Sequence, residues 1–425
     1  MASNTDIRLY YHTNLNAPEL TPEFGKLNAL LKTVLVDGFT IGDVASVTAV
    51  DKIVTLDFGY NHTLTICQVV EISGANEVEF NGVFKVVAVP STTSIQVKLQ
   101  NNATVSTATG LIICKLPSLG WECPFSSGGR AAYRSANTDN PNRPYLRIVD
   151  EQDSLWNSAY SKYAKVALVE EMADIDTLGG VIVPYDSANP DKNWVATGSG
   201  ATVINGWAKW YYGYNDANGD SIFRYSNSPA YSDILTVPSG VRKWVIVGDK
   251  DTFYIFNTAS PNSVYIPYGF GKFESYFEGD VFNHFLSCSL FYNPANTLSS
   301  TAFRGQTTGL QGGYGSLLLQ RPISGAANYI TGQITANKLS VTGVTNIIAA
   351  VASFNKVFSA QADLFSENTF RGYLPYLNWV YQAKPYPELS IFEDSGEYFI
   401  AINHISTTTN TGTQPGQSFI SLGVL

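Results

Sequence analysis

Short runs in which apolar and polar residues alternate constrain this chain more than any other feature of its sequence. Val54, Leu56 and Phe58, for example, are separated by single polar residues, and turn-forming Asn-Gly, Asp-Lys and Pro-Ser pairs divide one run from the next. Alternation with a period of two places successive side chains on opposite faces of a strand. About six such strands follow one another at regular spacing, which predicts a small β-barrel or sandwich over residues 41–117.

One amphipathic helix precedes this region, and residues 1–40 form a polar lead that ends in it. Thr21 is a suitable cap, Pro22 suits the first helical position, and Asp37-Gly38 supplies the stop. The helix carries one apolar stripe, and the lead carries two tyrosines. We expect these residues to make contacts with a neighbouring subunit or between domains, and the interface candidates are Tyr10, Tyr11, Phe24, Leu27, Leu31 and Leu35.

The stretch from residue 120 to 150 joins the small β region to the rest of the chain. RAAYRS and PYLRIV are strand-like arms around a turn-rich ANTDNPN, which predicts a hairpin. Alternation puts Tyr145 and Arg147 on one face and Leu146 and Ile148 on the other. Acidic residues close in sequence are the expected partners of the arginines, namely Asp139, Asp150, Glu151 and Asp153 for Arg130, Arg134, Arg143 and Arg147.

Residues 118–425 form a large, aromatic-rich β region, with a further division near 190–240 left open. Glycine- and asparagine-rich turns separate its strand-like runs, and no internal repeat of fixed period occurs. A two-sheet sandwich with long loops therefore fits better than a β-helix or a propeller. The predicted fold is mainly β, with a small N-terminal β-barrel or sandwich and a large β-sandwich-like region.

The charge content points to assembly and away from nucleic acid. Only 14% of the 425 residues are charged, the net charge is −9, and lysine and arginine form no run. A surface poor in charge is typical of subunit interfaces, whereas binding to phosphates needs clustered cations. Neither an apolar run long enough to span a membrane nor a secretory signal is present, so we expect synthesis in a cytoplasm.

Metal binding has one candidate. The four cysteines and four histidines do not cluster, which argues against zinc. Asp216, Asn218 and Asp220 resemble the opening of a calcium loop, but the distal glutamate of an EF-hand is missing. The alternative is a hairpin tip built from turn residues. We predict no cofactor.

Two further groups of residues have both a functional and a plain interpretation. Trp207, Trp210 and Tyr211 could stack on a sugar, although aromatic residues also fill β cores and interfaces. The carboxylates at Glu170, Glu171, Asp174 and Asp176 could serve a glycan depolymerase, although adjacent acids usually form a solvated loop. Phosphate-loop, nucleophile-elbow and zinc-protease motifs are absent, and the prediction is that the chain is not an enzyme.

A set of short motifs resembles one protein family. The central pieces are Gly120-Trp121-Glu122-x-Pro124-Phe125, Ala132-Tyr133-Arg134-Ser135 and Tyr145-Leu146-Arg147-x-x-Asp150, and matching pieces follow at residues 172–177, 247–254, 269–271 and 371–375. Together they resemble a largely uncharacterised family of tailed-bacteriophage virion proteins. The sequence departs from that pattern at Cys123, at Tyr376 and over residues 189–238.

The resemblance implies a structural component of the virion, assembled in the host cytoplasm and acting through subunit interfaces. The expected place is the tail, as a baseplate, tail-tip or fibre-adaptor protein, with copies of itself and other virion proteins as partners. Two alternatives stay open. One is a receptor- or carbohydrate-binding module of the tail that contacts a host-surface glycan, and the other is a capsid decoration or collar protein.

Overall fold

The fold is mainly β, as predicted, and its described strands form three antiparallel sheets. The computed structural model describes residues 5–196, 206–214, 233, 236–290, 308–310, 316–334, 357–382, 384–409 and 412–425. One α-helix occurs in these ranges, α1 at Lys26–Lys32, and it continues as a π-helical turn at Thr33–Asp37.

The helix begins later than its sequence predicts. Gly25 is the N-cap and has a left-handed backbone with φ of 88°, so Thr21 and Pro22 lie in a turn before the helix. A left-handed residue cannot continue a right-handed helix, and glycine adopts that conformation without steric cost. The predicted stop is confirmed, because the helical turns end at Asp37 and Gly38 has φ of 70°.

The small sheet covers the region of alternating runs. Its strand order is β2-β8-β5-β6-β7-β4-β3, and Val54 and Leu56 lie buried opposite Val97 and Ile95. Its strands are β2 Phe39–Asp43, β3 Ser46–Val50, β4 Ile53–Asp57, β5 Val69–Ala75, β6 Gly82–Ser91, β7 Ser94–Lys98 and β8 Gly110–Leu116, with a 3-10 turn at Val78–Phe80.

The middle sheet contains the predicted hairpin. Strands β10 and β11 are antiparallel, with Tyr133 opposite Leu146. Leu146 and Ile148 enter the main core and Tyr145 packs on the opposite face, as alternation predicts. The strands are β9 Trp121–Ser127, β10 Arg130–Ser135, β11 Tyr145–Val149, β12 Lys162–Met172, β13 Leu178–Val183, β14 Ala208–Gly213 and β20 Ser289–Leu290.

Within the described ranges the large sheet has thirteen strands, and its first strand lies in the N-terminal lead. Strand β1, Arg8–Tyr11, pairs with β15, and the order continues β16-β17-β19-β21-β22-β23-β24-β27-β26-β25, while β18 pairs with β24. The other bounds are β15 Trp244–Gly248, β16 Thr252–Asn257, β17 Ile266–Lys272, β18 Glu274–Ser275, β19 His284–Ser287, β21 Leu317–Leu319, β22 Ile330–Ile334, β23 Ser359–Ser366, β24 Thr369–Val380, β25 Ile391–Asp394, β26 Glu397–Thr409 and β27 Gly412–Gly423.

One continuous apolar core joins the helix, the small sheet, the middle sheet and one face of the large sheet. Trp244 and Ile246 of β15 belong to it, whereas Val245 and Val247 enter a second core on the other face. Trp210 of the middle sheet stacks on Tyr268 of the large sheet, with ring centroids 5.5 Å apart. The two sheets therefore pack face to face as a sandwich, and strand β15 is buried on both faces.

Candidate functional site

Two motif residues of the family resemblance, Trp121 and Ser135, lie at the junction between the middle and large sheets. Trp121 donates its indole Nε1–H to the backbone oxygen of Asp249 at 2.9 Å. Its ring lies edge-on to Phe253, with centroids 5.1 Å apart. Ser135 Oγ donates to Asp251 Oδ1 at 2.9 Å. Strands β9 and β10 are thus fastened to the turn between β15 and β16.

Asp150, the last residue of the motif, links helix α1 to strand β14. It is 1% exposed, and its carboxylate accepts the backbone N–H of Asn28 at 3.1 Å and the hydroxyl of Tyr212 at 2.6 Å. Burial raises the pKa of Asp150 to about 6, while the hydrogen bonds from Tyr212 and the helix lower it. A negative group at the first turn also complements the helix dipole.

The turn-rich segment between β10 and β11 is tied down by polar contacts. Asn137 and Asn140 donate their side-chain amides to Asp251 at 3.0 and 2.6 Å. Asn142 donates to Gln320 Oε1 at 2.8 Å. The sequence predicts only a turn here, and in the structure the polar side chains of this turn link the middle sheet to the large sheet. The distant partner Asp251 leaves no mark in the local sequence.

The arginine partners were mostly predicted wrongly. Arg147 pairs with Asp176 at 3.0 Å, and Arg134 and Arg143 both pair with Glu122. Arg130 pairs with Asp176 at 2.7 Å and makes one predicted contact, with Glu151 at 3.6 Å. Strand pairing brings residues from neighbouring strands together, and that proximity outweighs closeness in sequence.

The residues predicted as interface candidates are largely buried by contacts inside their own chain. Tyr10, Tyr11, Leu27, Leu31 and Leu35 are each at most 4% exposed. The leucines enter the main core, and Tyr10 donates its hydroxyl to the backbone oxygen of Pro117 at 2.6 Å. Phe24 is half-buried, edge-on to Tyr163. These residues hold the lead and the helix against the sheets of their own chain.

The glycan platform predicted at Trp207, Trp210 and Tyr211 is corrected by burial. The three residues are 2%, 0% and 0% exposed, so no sugar can stack on them in this conformation. Trp210 Nε1 donates to Ser287 O at 2.8 Å, and Tyr211 donates its hydroxyl to Asp233 at 2.8 Å. The dense aromatic patch is the centre of the sandwich, where large rings bury the most apolar area.

The carboxylates at the end of β12 and in the turn after it have separate structural partners. Arg321 donates to both oxygens of Glu170 at 2.6 and 2.7 Å. Burial opposes ionisation of Glu170, but the hydrogen bonds from Arg321, Val181 and Gln320 outweigh it and lower the pKa. Asp174 accepts the backbone N–H groups of Asp176 and Thr177, each at 2.8 Å, and so shapes a turn.

The calcium candidate at Asp216, Asn218 and Asp220 lies outside the described residues. Within the described ranges, histidine, cysteine and acidic side chains form no group that could hold a metal ion. No helix in those ranges is long and apolar enough to cross a membrane. The four cysteines are free thiols.

Sequence reasoning missed one surface feature, a cleft of about 550 Å³ on the middle sheet. Arg130, Arg147, Asp176, Tyr185 and Trp194 line it. The pairing of β10 with β11, of β11 with β12 and of β12 with β13 brings the strands that carry or precede these residues together. Arg147 and Asp176 belong to two of the motif pieces, but neither piece by itself predicts a cleft.

Comparison with known proteins gives little further information. No protein-family model matches the chain, and no curated protein matches it. A solved structure titled "Phage phi92 endosialidase" aligns with 90% of this chain and 51% of its own chain, at 10% identity and a TM-score of 0.16. The chain thus spans about half the length of that protein. So low a TM-score does not establish a shared fold.

Proposed function

We propose that this chain is a structural protein of a tailed-phage virion, located in the tail as a baseplate, tail-tip or fibre-adaptor protein. The observation that carries the proposal is the set of contacts that motif residues make between elements of the fold. Trp121, Ser135 and Asp150 belong to the motifs that resemble virion proteins, and each of them makes a contact that holds the sheets or the helix together. The motifs that carry the resemblance thus include residues whose contacts hold this fold together.

The construction of the fold supports a mechanical role. The helix and all three sheets contribute to one core, and buried side chains such as Trp210 add hydrogen bonds from sheet to sheet. Close-packed interiors transmit strain and deform little. A rigid body of this kind suits a protein that acts by geometry, within an assembly whose closed symmetry fixes each interface.

The proposal includes no catalytic step at the carboxylates near Glu170. Arg321 occupies both oxygens of Glu170, and Asp176 is shared between Arg130 and Arg147. Ion-paired carboxylates of this kind are poorly placed to give or take a proton. If they are structural, incubation of the purified chain with host surface polysaccharide releases no reducing sugar. Release that Glu170→Gln abolishes would overturn this part of the proposal.

The decisive experiment locates the protein in the particle. Antibodies raised against the purified chain are used for immunogold labelling of intact phage, and light scattering gives the solution mass of the chain. Label on the tail supports the proposal, and a stable ring-sized mass shows which symmetry to seek there. Label on the head or neck identifies a decoration or collar protein, and absence of the chain from purified particles overturns a virion role.

A further inference from the structure

Lys209 and Asp233 form an ion pair that is closed off from solvent on the middle sheet. Lys209 lies on β14, and its Nζ donates to Oδ2 of Asp233 at 2.6 Å, across 24 positions of the chain. Each of the two side chains is 1% exposed. Of the ion pairs that join described residues, no other has both partners so completely buried. Two buried charges lose their hydration, and this loss can exceed the attraction between them.

Two buried tyrosines contact the pair. Nζ of Lys209 lies 4.3 Å from the ring centre of Tyr163, and Tyr211 donates its hydroxyl to Oδ1 of Asp233 at 2.8 Å. Tyr163 and Tyr211 are 2% and 0% exposed. Burial lowers the pKa of Lys209 and raises the pKa of Asp233, although the attraction between their charges acts against both shifts. Burial thus favours the neutral amine and the neutral carboxylic acid.

A neutral amine and a carboxylic acid that are held in contact can condense to an amide, because the amine nitrogen has a lone pair that attacks the carboxyl carbon. Reacting atoms in a near-attack geometry are roughly 3–3.5 Å apart. The contact of 2.6 Å between Nζ of Lys209 and Oδ2 of Asp233 brings the nitrogen close to that range, since one carbon–oxygen bond separates Oδ2 from the carbon. The fold also replaces an encounter in solution by a step within one molecule, which accelerates such reactions by several powers of ten.

We propose that Lys209 and Asp233 condense to an isopeptide bond, an amide between two side chains, in the folded protein. Nζ attacks Cγ of Asp233, the Nζ–Cγ bond forms, and the Cγ–Oδ2 bond breaks. Of the three protons of the ammonium group, one stays on the amide nitrogen and two leave with Oδ2 as water, so no other reactant is needed. The hydroxyl of Tyr211 donates to Oδ1, where negative charge develops during the attack. The bond forms in the isolated chain, whatever the place of the chain in a virion.

The neighbouring pair of Lys165 and Asp153 is the matched comparison. Nζ of Lys165 donates to both oxygens of Asp153 at 2.9 and 3.0 Å, and also to Trp194 O at 2.7 Å. The Asp153 side chain is 12% exposed, so water helps to keep its carboxylate charged. We expect this pair to remain an ordinary ion pair. Lys165→Arg is therefore the control variant, because it changes a buried lysine of the same sheet and removes neither reacting group.

The test is mass spectrometry of the purified full-length chain under denaturing conditions. The intact chain should be lighter than its sequence by the mass of one water. Trypsin does not cleave after an acylated lysine, so the digest should contain a branched peptide in which residues 193–224 are joined to residues 225–242 through Lys209 and Asp233. In Lys209→Arg the guanidinium stays protonated and cannot attack, so this variant should have its full sequence mass. Lys165→Arg should lose one water, as the unaltered chain does.

A full sequence mass for the unaltered chain, with separate and unmodified peptides 193–209 and 225–242 in its digest, would overturn the bond. Loss of a water that fragmentation places elsewhere in the chain, or that persists in Lys209→Arg, would overturn it as well. Circular dichroism verifies that each variant folds. If Lys209→Arg does not fold, the peptide map of the unaltered chain decides alone, because the branched peptide is either present or absent there.

Discussion

Lys85 donates its ammonium group to the backbone oxygen of Leu422 at 2.6 Å, which joins the small sheet to β27 across 337 positions of the chain. The same Nζ donates to Val424 O at 3.1 Å. Lys85 is 1% exposed, and burial lowers its pKa. A buried cation is costly unless it is well bonded, so these two carbonyls account for its place in the fold.

Lys85→Met is expected to lower the free energy of unfolding by about 1–3 kcal/mol, because the two carbonyls lose a charged donor while little volume changes. Urea denaturation followed by tryptophan fluorescence measures the change. Lys98→Met on β7 is the matched control, since Lys98 is exposed and its loss should be close to neutral. Equal midpoints for the two variants would show that the link between Lys85 and Leu422 adds no stability.

Asp150 gives a prediction with two matched variants. Asp150→Ala leaves the N–H of Asn28 and the hydroxyl of Tyr212 without their acceptor and should cost about 1–3 kcal/mol. Asp150→Asn keeps an oxygen for Asn28 and an amide that can donate to Tyr212, so it should cost less. Circular dichroism melts at pH 7 compare the two, and a larger loss for asparagine than for alanine would contradict the assigned hydrogen bonds.

The stability contributed by Asp150 depends on pH because its pKa is raised in the folded chain. The pKa of Asp150 is about 6 in the folded chain, and its ordinary value is 3.8. Between these two pH values the folded chain holds a proton on Asp150 that the unfolded chain has lost. The contribution of Asp150 to stability therefore falls as the pH rises from about 4 to about 6. By linkage the difference amounts to about 3 kcal/mol. Asp150→Asn lacks this change, so the stability of Asp150→Asn relative to the unaltered chain should rise over that window.

His284 makes stability change with pH in the direction opposite to that of Asp150. It is buried, and burial together with the charge of Lys272 lowers its pKa from 6.5 to about 3, although a hydrogen bond with Gln320 acts against this. Between those values the unfolded chain binds a proton that the folded chain does not, so stability falls as the pH falls through the window. His284→Gln should flatten the decline in melting temperature between pH 7 and 4. A decline as steep as that of the unaltered chain would refute a neutral, buried His284.

Gly271 lies where the backbone of β17 comes too close to a neighbouring backbone to leave room for a side chain. It has φ of 140°, and a Cβ at this position would lie 2.3 Å from the backbone oxygen of Asp251. Gly271→Ala must therefore shift backbone and should destabilise by several kcal/mol, on the order of the largest single-site effects. Gly179→Ala is the control, because its Cβ would have ordinary contacts at 3.5 Å. Soluble yield and melting temperature of the two variants decide the point.

Alternation along single strands was the part of this fold that sequence could predict. Leu146 and Ile148 face the main core, and Tyr145 faces away, because the period of a strand depends only on local backbone geometry. The buried state of Trp210 was not predictable in the same way. Aromatic residues are common both in cores and on binding surfaces, so their presence in the sequence does not distinguish the two. Only the packing of the middle sheet on the large sheet shows that Trp210 belongs to the core.

The candidate site depended on information that local sequence does not hold. The pairing of Arg147 with Asp176 requires the register of β11 on β12 and the turn that follows β12. The partner of Asn140 is Asp251, on the far sheet. Contacts of this kind are fixed by topology, and a single sequence carries topology only weakly.

The edge position of β1 also sets the order in which the large sheet can form. Tyr10 and Tyr11 pair with Ile246 and Val245, so this strand leaves the ribosome long before its partner exists. The two intervening sheets are largely synthesised in that interval, and the lead closes on β15 only afterwards. Folding dominated by such distant pairings is slow. During synthesis, β1 therefore stays without its partner strand until β15 has been made, and the strands from β16 to β27 are added to the chain after that point.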